Sequence, residues 1–99
     1  MKAENKEDVA SAEGKFVVKN DRGLHTRPST ELVKCASKFK SEIYLQHQKQ
    51  RVNAKSLLGI LMLAATKGTR IKIFAEGIDA AKAIEAIIDL ANNKFYVNY

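Results

Sequence analysis

The sequence predicts an α+β domain in which helices cover one face of a sheet. Three observations carry this. Short stretches that alternate apolar and polar residues recur along the chain. Between them lie segments with apolar residues at helical spacing. The resulting order, β-α-β-β-α-β-α, is that of a mixed layered fold, not of repeated parallel β-α units. Alternating strands, unlike continuously apolar ones, leave the second sheet face to water.

The elements follow in order. MKAENKEDVASAE (1–13) shows neither strand alternation nor an apolar face, so it is expected as a mobile tail before a single domain at 14–99. KFVVK (15–19) is β-branched and aromatic and runs into Asn20-Asp21-Arg22-Gly23, a strand and then a turn. From about Thr26 to Lys40, Leu32, Val33, Ala36 and Phe39 mark one face of a helix. Pro28 is compatible only with the first turn, where its missing N–H costs nothing, so the helix begins beside His25. EIYLQHQ (42–48) alternates, with Ile43 and Leu45 inward, and QRVN (50–53) is its hairpin partner. Ser56 is placed to cap LLGILMLAA (57–65), a helical run closed by Gly68. TRIKIFA (69–75) buries Ile71 and Ile73. Asp79 is read as the cap of a last helix, whose stripe is Ile84, Ile87, Ile88 and Ala91 and whose stop is Asn92-Asn93.

Composition narrows the function classes. The chain has 99 residues and a formal charge of +6. Residues 1–13 are net acidic, so the remaining body is more basic still and suits acidic partners. The longest apolar run is nine residues, against the ~20 needed to span a bilayer. Without a secretory pattern either, a cytoplasmic location is expected. Cys35 is the single cysteine and is read as a small core residue. The chain carries neither a metal-ligand spacing nor a nucleotide-binding motif, so no cofactor is expected.

The chemistry concentrates in GLHTRPS (23–29). A helix that starts there offers free N–H groups and the positive end of its dipole, an anion site. Arg27 adds a planar, permanently charged donor suited to phosphate. His25 stands at the mouth of this arrangement. Its uncharged imidazole is a competent nucleophile, and the same cradle would hold a transferred phosphoryl group. A solvated helix cap is the simpler reading of the stretch alone. His47 lies in a polar strand and is read as surface.

GLHTRPS, followed by VNAKSLLGILMLAATKG (52–68), closely resembles the HPr family, the histidine-containing phosphocarriers of the bacterial phosphoenolpyruvate phosphotransferase system. The resemblance covers about residues 14–95. It implies an open-faced β-sandwich: a four-stranded antiparallel sheet with three helices on one face. It implies that His25 accepts a phosphoryl group on Nδ1 from phosphorylated enzyme I and passes it to an enzyme II A domain, with Arg27 stabilising the phosphate. It implies a carrier that is not itself an enzyme. It also implies that Ser56 is a target of an HPr kinase/phosphorylase, a role compatible with capping.

An apolar patch built from Leu57, Leu58 and Leu61, ringed by Arg27, Lys34, Lys38 and Lys55, is the expected docking surface of a monomer. LMLAATKG also resembles the nitrogen-related branch of the family, which leaves the downstream acceptor open. The acidic tail and the final FYVNY lie outside the pattern, and Thr26 and Ser29 stand where many members have alanine. The rival reading is a small basic nucleic-acid-binding module. Phe16, Tyr44 and Phe74 fall on three different strands without the expected aromatic cluster, which counts against it.

Overall fold

A computed structural model of the protein describes residues 10–99. Its elements are β1 (Ser11–Val17), α1 (Thr26–Ala36), β2 (Glu42–His47), β3 (Gln50–Asn53), α2 (Leu57–Met62), β4 (Arg70–Glu76) and α3 (Ala80–Asn92). A single 3₁₀ turn, Lys94–Tyr96, follows. The four strands form one antiparallel sheet in the order β1-β4-β2-β3, and the three helices lie on one face. This is the predicted architecture and element order.

Alternation sets the two faces of the sheet. Phe16, Ile43, Leu45, Ile71 and Ile73 point inward and meet Leu32 and Ala36 of α1, Ile60 of α2, and Ile84, Ile87 and Ala91 of α3. Each large aliphatic side chain removed from water this way stabilises the fold by about 1.5–3 kcal/mol before entropy is counted. The outer face keeps Tyr44 and Phe74, which are not scattered as the sequence suggested. They are register partners on the two central strands, and the Arg51 guanidinium lies 5.3 Å and 4.5 Å from their ring centroids. Lys15, Arg51, Arg70 and Lys72 share that face with Glu13, Glu42 and Glu76, so its charge is mixed.

Several boundaries differ from expectation. The first strand starts at Ser11, so residues 11–13 of the expected tail are sheet, while residues 1–9 lie outside the described residues. Gly14 hid this strand. It is there because α3 crosses close by: a Cβ would sit 2.6 Å from Ile84 Cγ2. The first helix ends at Ala36, and Phe39 packs from a turn instead of from the helix. The second ends at Met62, because Ala64 adopts a positive φ of 50° and the run continues as a turn that buries Leu63 and Ala65. In α3, Ile88 is only partly buried. Cys35 is half-buried, and burial pushes its thiol above the ordinary range.

Asp79 is at the N-cap of α3, but its side chain does not cap. The carboxylate instead accepts from the Ser41 hydroxyl at 2.5 Å and from the Lys40 and Ser41 N–H groups, each at 2.9 Å. It ties the turn before β2 to the last helix. These bonds to the charged form, the Ser41 hydroxyl first, hold its pKa down to about 2.

Candidate functional site

The loop from Asn20 to His25 is built on backbone contacts. Gly23 N–H donates to the Asn20 carbonyl at 2.9 Å, and Leu24 N–H to the Ala65 carbonyl at 2.9 Å. Gly23 has φ of 69°, and a Cβ there would lie 2.1 Å from the Ala65 oxygen. Only glycine allows both the left-handed turn and this approach. Ser29, fully buried, donates its hydroxyl to the Leu24 carbonyl at 3.0 Å and fixes the loop to the first turn of α1.

His25 is the N-cap of α1, with extended backbone and no side-chain cap bond. Its carbonyl accepts the first helical bond, from Ser29 N–H at 3.1 Å. Pro28 has no N–H, so Thr26 and Arg27 supply the free donors of the helix start. The half-buried imidazole stacks on Tyr99, with ring centroids 5.2 Å apart and planes inclined at 26°. Its Nε2 lies 3.4 Å from the Tyr99 main-chain oxygen. That oxygen can only accept, so this contact places a hydrogen on Nε2, and in the neutral ring Nδ1 then keeps its lone pair. Among the described residues, no hydrogen bond occupies Nδ1. Arg27 is exposed, and its Nη1 donates to the Tyr99 hydroxyl at 3.3 Å.

Sequence reasoning missed what brings Tyr99 here. After α3, Lys94, Phe95 and Tyr96 adopt φ of 54°, 57° and 57°, a left-handed reversal. Phe95 is fully buried against Phe16, with ring centroids 5.9 Å apart, and Val97 is buried too. Asn20, also fully buried, donates its amide to the carbonyls of Lys94 at 3.0 Å, Val97 at 3.2 Å and Tyr99 at 3.0 Å. The alternation of Phe95 and Val97 was the one available signal for this segment. Asn20 gave none beyond its place in a turn.

Ser56 caps α2 as expected: its Oγ accepts from Gly59 N–H at 3.0 Å. The apolar patch is shifted by one residue. Leu58 and Met62 are 69% and 62% exposed, Leu57 is exposed at 37%, and Leu61 is half-buried. The basic rim is only partly formed. Lys55 Nζ donates to the Phe39 carbonyl at 2.7 Å, tying α2 to the turn after α1. Lys34 pairs with Glu31 at 3.7 Å, and together with Lys38 it lines a cleft against Asp89 and Leu90 of α3. His47 is half-buried at the end of β2, opposite Gln50. No helix of the described residues is long and apolar enough to cross a membrane.

Known proteins place this arrangement in context. The family described as "PTS HPr component phosphorylation site" matches residues 12–93. The phosphocarrier protein HPr of Neisseria meningitidis serogroup A is 46% identical over 76 residues, 77% of this chain and 85% of that protein. The crystal structure of HPr-C-His from Thermoanaerobacter tengcongensis superposes with a TM-score of 0.84 at 41% identity, covering 89% of this chain and 99% of that one. The crystal structure of a Bacillus anthracis phosphocarrier protein HPr gives 0.78 at 35% identity, covering 83% and 98%.

Proposed function

The chain belongs to the HPr family of phosphocarrier proteins, and from that premise we propose that His25 is its phosphoryl acceptor. The observation that carries the reading is the open Nδ1 at the start of α1, with Nε2 turned to the Tyr99 main-chain oxygen. The Nδ1 lone pair forms a bond to phosphorus as the bond from phosphorus to phosphorylated enzyme I breaks. The Thr26 and Arg27 N–H groups and the Arg27 guanidinium then hold the phosphoryl oxygens. Transfer to an enzyme II A domain reverses the chemistry. The protein supplies the carrier atom and its cradle, and partner enzymes supply the rest of each reaction.

Leu57, Leu58 and Met62 form the apolar centre of the docking surface for these partners, with Arg27 at its charged edge. Opposite charge on an acidic partner speeds encounter without demanding tight binding. Ser56 is the regulatory site. A phosphate there sits at a helix start and leaves the fold intact, while its charge opposes docking of an acidic enzyme I. The carrier acts as a cytoplasmic monomer.

Intact mass after incubation with phosphoenolpyruvate, Mg²⁺ and enzyme I tests the proposal. One acid-labile phosphoryl group, absent in His25→Ala, is expected. Equal labelling of His25→Ala would overturn it.

A further inference from the structure

Tyr99 lies across every movable part of the proposed centre. Its ring stacks on His25 at 5.2 Å, and its main-chain oxygen faces Nε2 at 3.4 Å. Its hydroxyl accepts from Arg27 at 3.3 Å, and the Arg22 and Arg27 guanidinium carbons lie 5.4 Å and 6.0 Å from its ring centroid. The segment that delivers it is over-determined. Three consecutive non-glycine residues in the left-handed region persist only because Phe95 is buried and Asn20 holds three carbonyls. That packing and those bonds bring the Tyr99 ring onto His25.

The need is plain from His25. Its imidazole is half-buried and makes no cap bond to its own helix, so nothing in α1 fixes its ring plane. Arg27 is exposed and long, with much rotamer freedom to lose on meeting a phosphate. Transfer in line with Nδ1 requires both groups to be set before the donor arrives. A phosphoryl group on Nδ1 lies in the plane of the imidazole, whereas Tyr99 lies on its face. The tyrosine therefore holds the ring without occupying the reacting position. Arg27 has five N–H donors, so one bond to the tyrosine leaves others for phosphate.

We infer that Tyr99 is a positioning residue for phosphoryl transfer: its ring fixes the plane of the His25 imidazole and its hydroxyl holds Arg27 beside it. This rests on His25 being the acceptor. The test is single-turnover transfer from phosphorylated enzyme I to the full chain across a range of acceptor concentrations, for the wild type, Tyr99→Phe and Tyr99→Leu. The proton shifts of the His25 ring are recorded for each. A stacked pair of this kind sets a loss of about three- to tenfold in the saturating rate of Tyr99→Leu. The half-saturating concentration stays within about twofold, because docking is unaffected. Tyr99→Phe keeps the stack but loses the bond to Arg27, so its saturating rate falls between those of the wild type and Tyr99→Leu; a rate equal to the wild type would overturn the role of the hydroxyl. The His25 ring protons move downfield in Tyr99→Leu and not in Tyr99→Phe. An unchanged or faster saturating rate in Tyr99→Leu would overturn the inference, as would a loss confined to half-saturation, which marks a docking contact. A wild type that takes no phosphoryl group from active enzyme I strikes the acceptor reading first, and the inference falls with it.

Discussion

Replacing Asn20 removes the clamp that joins the 20–25 loop to the returning segment. Its side chain is fully buried and its amide reaches three carbonyls, of Lys94, Val97 and Tyr99, at 3.0–3.2 Å. The amide carries two hydrogens, so its three contacts share two bonds, and at about 1 kcal/mol net for each Asn20→Ala forfeits about 2 kcal/mol at first count. Two of the three contacts are only partly buried, and water can replace some of that loss. The Asn20 Oδ1 is buried with no partner, and its removal returns about 1 kcal/mol. The expected net loss is about 1 kcal/mol, or a fall in Tm of about 4–8 °C for a domain of this size. Asn20→Asp separates donor chemistry from volume. It is nearly the same size, yet it turns a second oxygen toward three carbonyls, so it must cost more than alanine. Urea unfolding monitored by circular dichroism, with the slope unchanged, measures both. A loss under about 0.5 kcal/mol for Asn20→Ala, or an aspartate variant more stable than the alanine one, would refute the reasoning.

Other consequences are as direct. Gly23→Ala places a Cβ 2.1 Å from the Ala65 oxygen at φ of 69°, so it should destabilise the protein by about 2 kcal/mol and slow phosphoryl acceptance; equilibrium unfolding and the transfer rate check both. Asp79 titrates at about 2 in the fold against an ordinary 3.8, so its contribution is present above pH 3.8 and is lost as pH falls toward 2. Unfolding measured across that window should show a flatter acid limb for Asp79→Asn than for the wild type. Ser56→Asp keeps a good cap, so its Tm should stay within about 2 °C while acceptance from enzyme I slows; unchanged kinetics would remove the case for a charge switch.

What could be read from the sequence was what local chemistry decides. Pro28 marks the start of α1, Ser56 caps α2 through Gly59, and alternation at Ile43, Leu45, Ile71 and Ile73 sets the inner face. That His25 and Arg27 share one helix start was legible from Pro28. What escaped depends on contacts distant in sequence. Gly14 looks like a strand breaker until Ile84 is seen against it. Asp79 has the residue type of a cap, but Ser41, 38 positions away, claims its carboxylate. The return of Phe95 and Tyr99 needs a left-handed reversal that no residue type in Lys94-Phe95-Tyr96 announces, and its anchor, Asn20, is 79 positions from Tyr99. Leu61, expected in the exposed patch, is half-buried, and Met62 is exposed in its stead.

The central claim is tested most directly by locating the phosphorus atom. The ¹⁵N-labelled protein is phosphorylated by enzyme I with phosphoenolpyruvate, and the nitrogens of both histidines are followed by NMR. The account predicts that His25 Nδ1 alone shifts and couples to phosphorus, with Nε2 still carrying its proton and His47 unchanged. Phosphorus on His25 Nε2 or on His47 would contradict it, as would an unmodified His25 in the presence of active enzyme I.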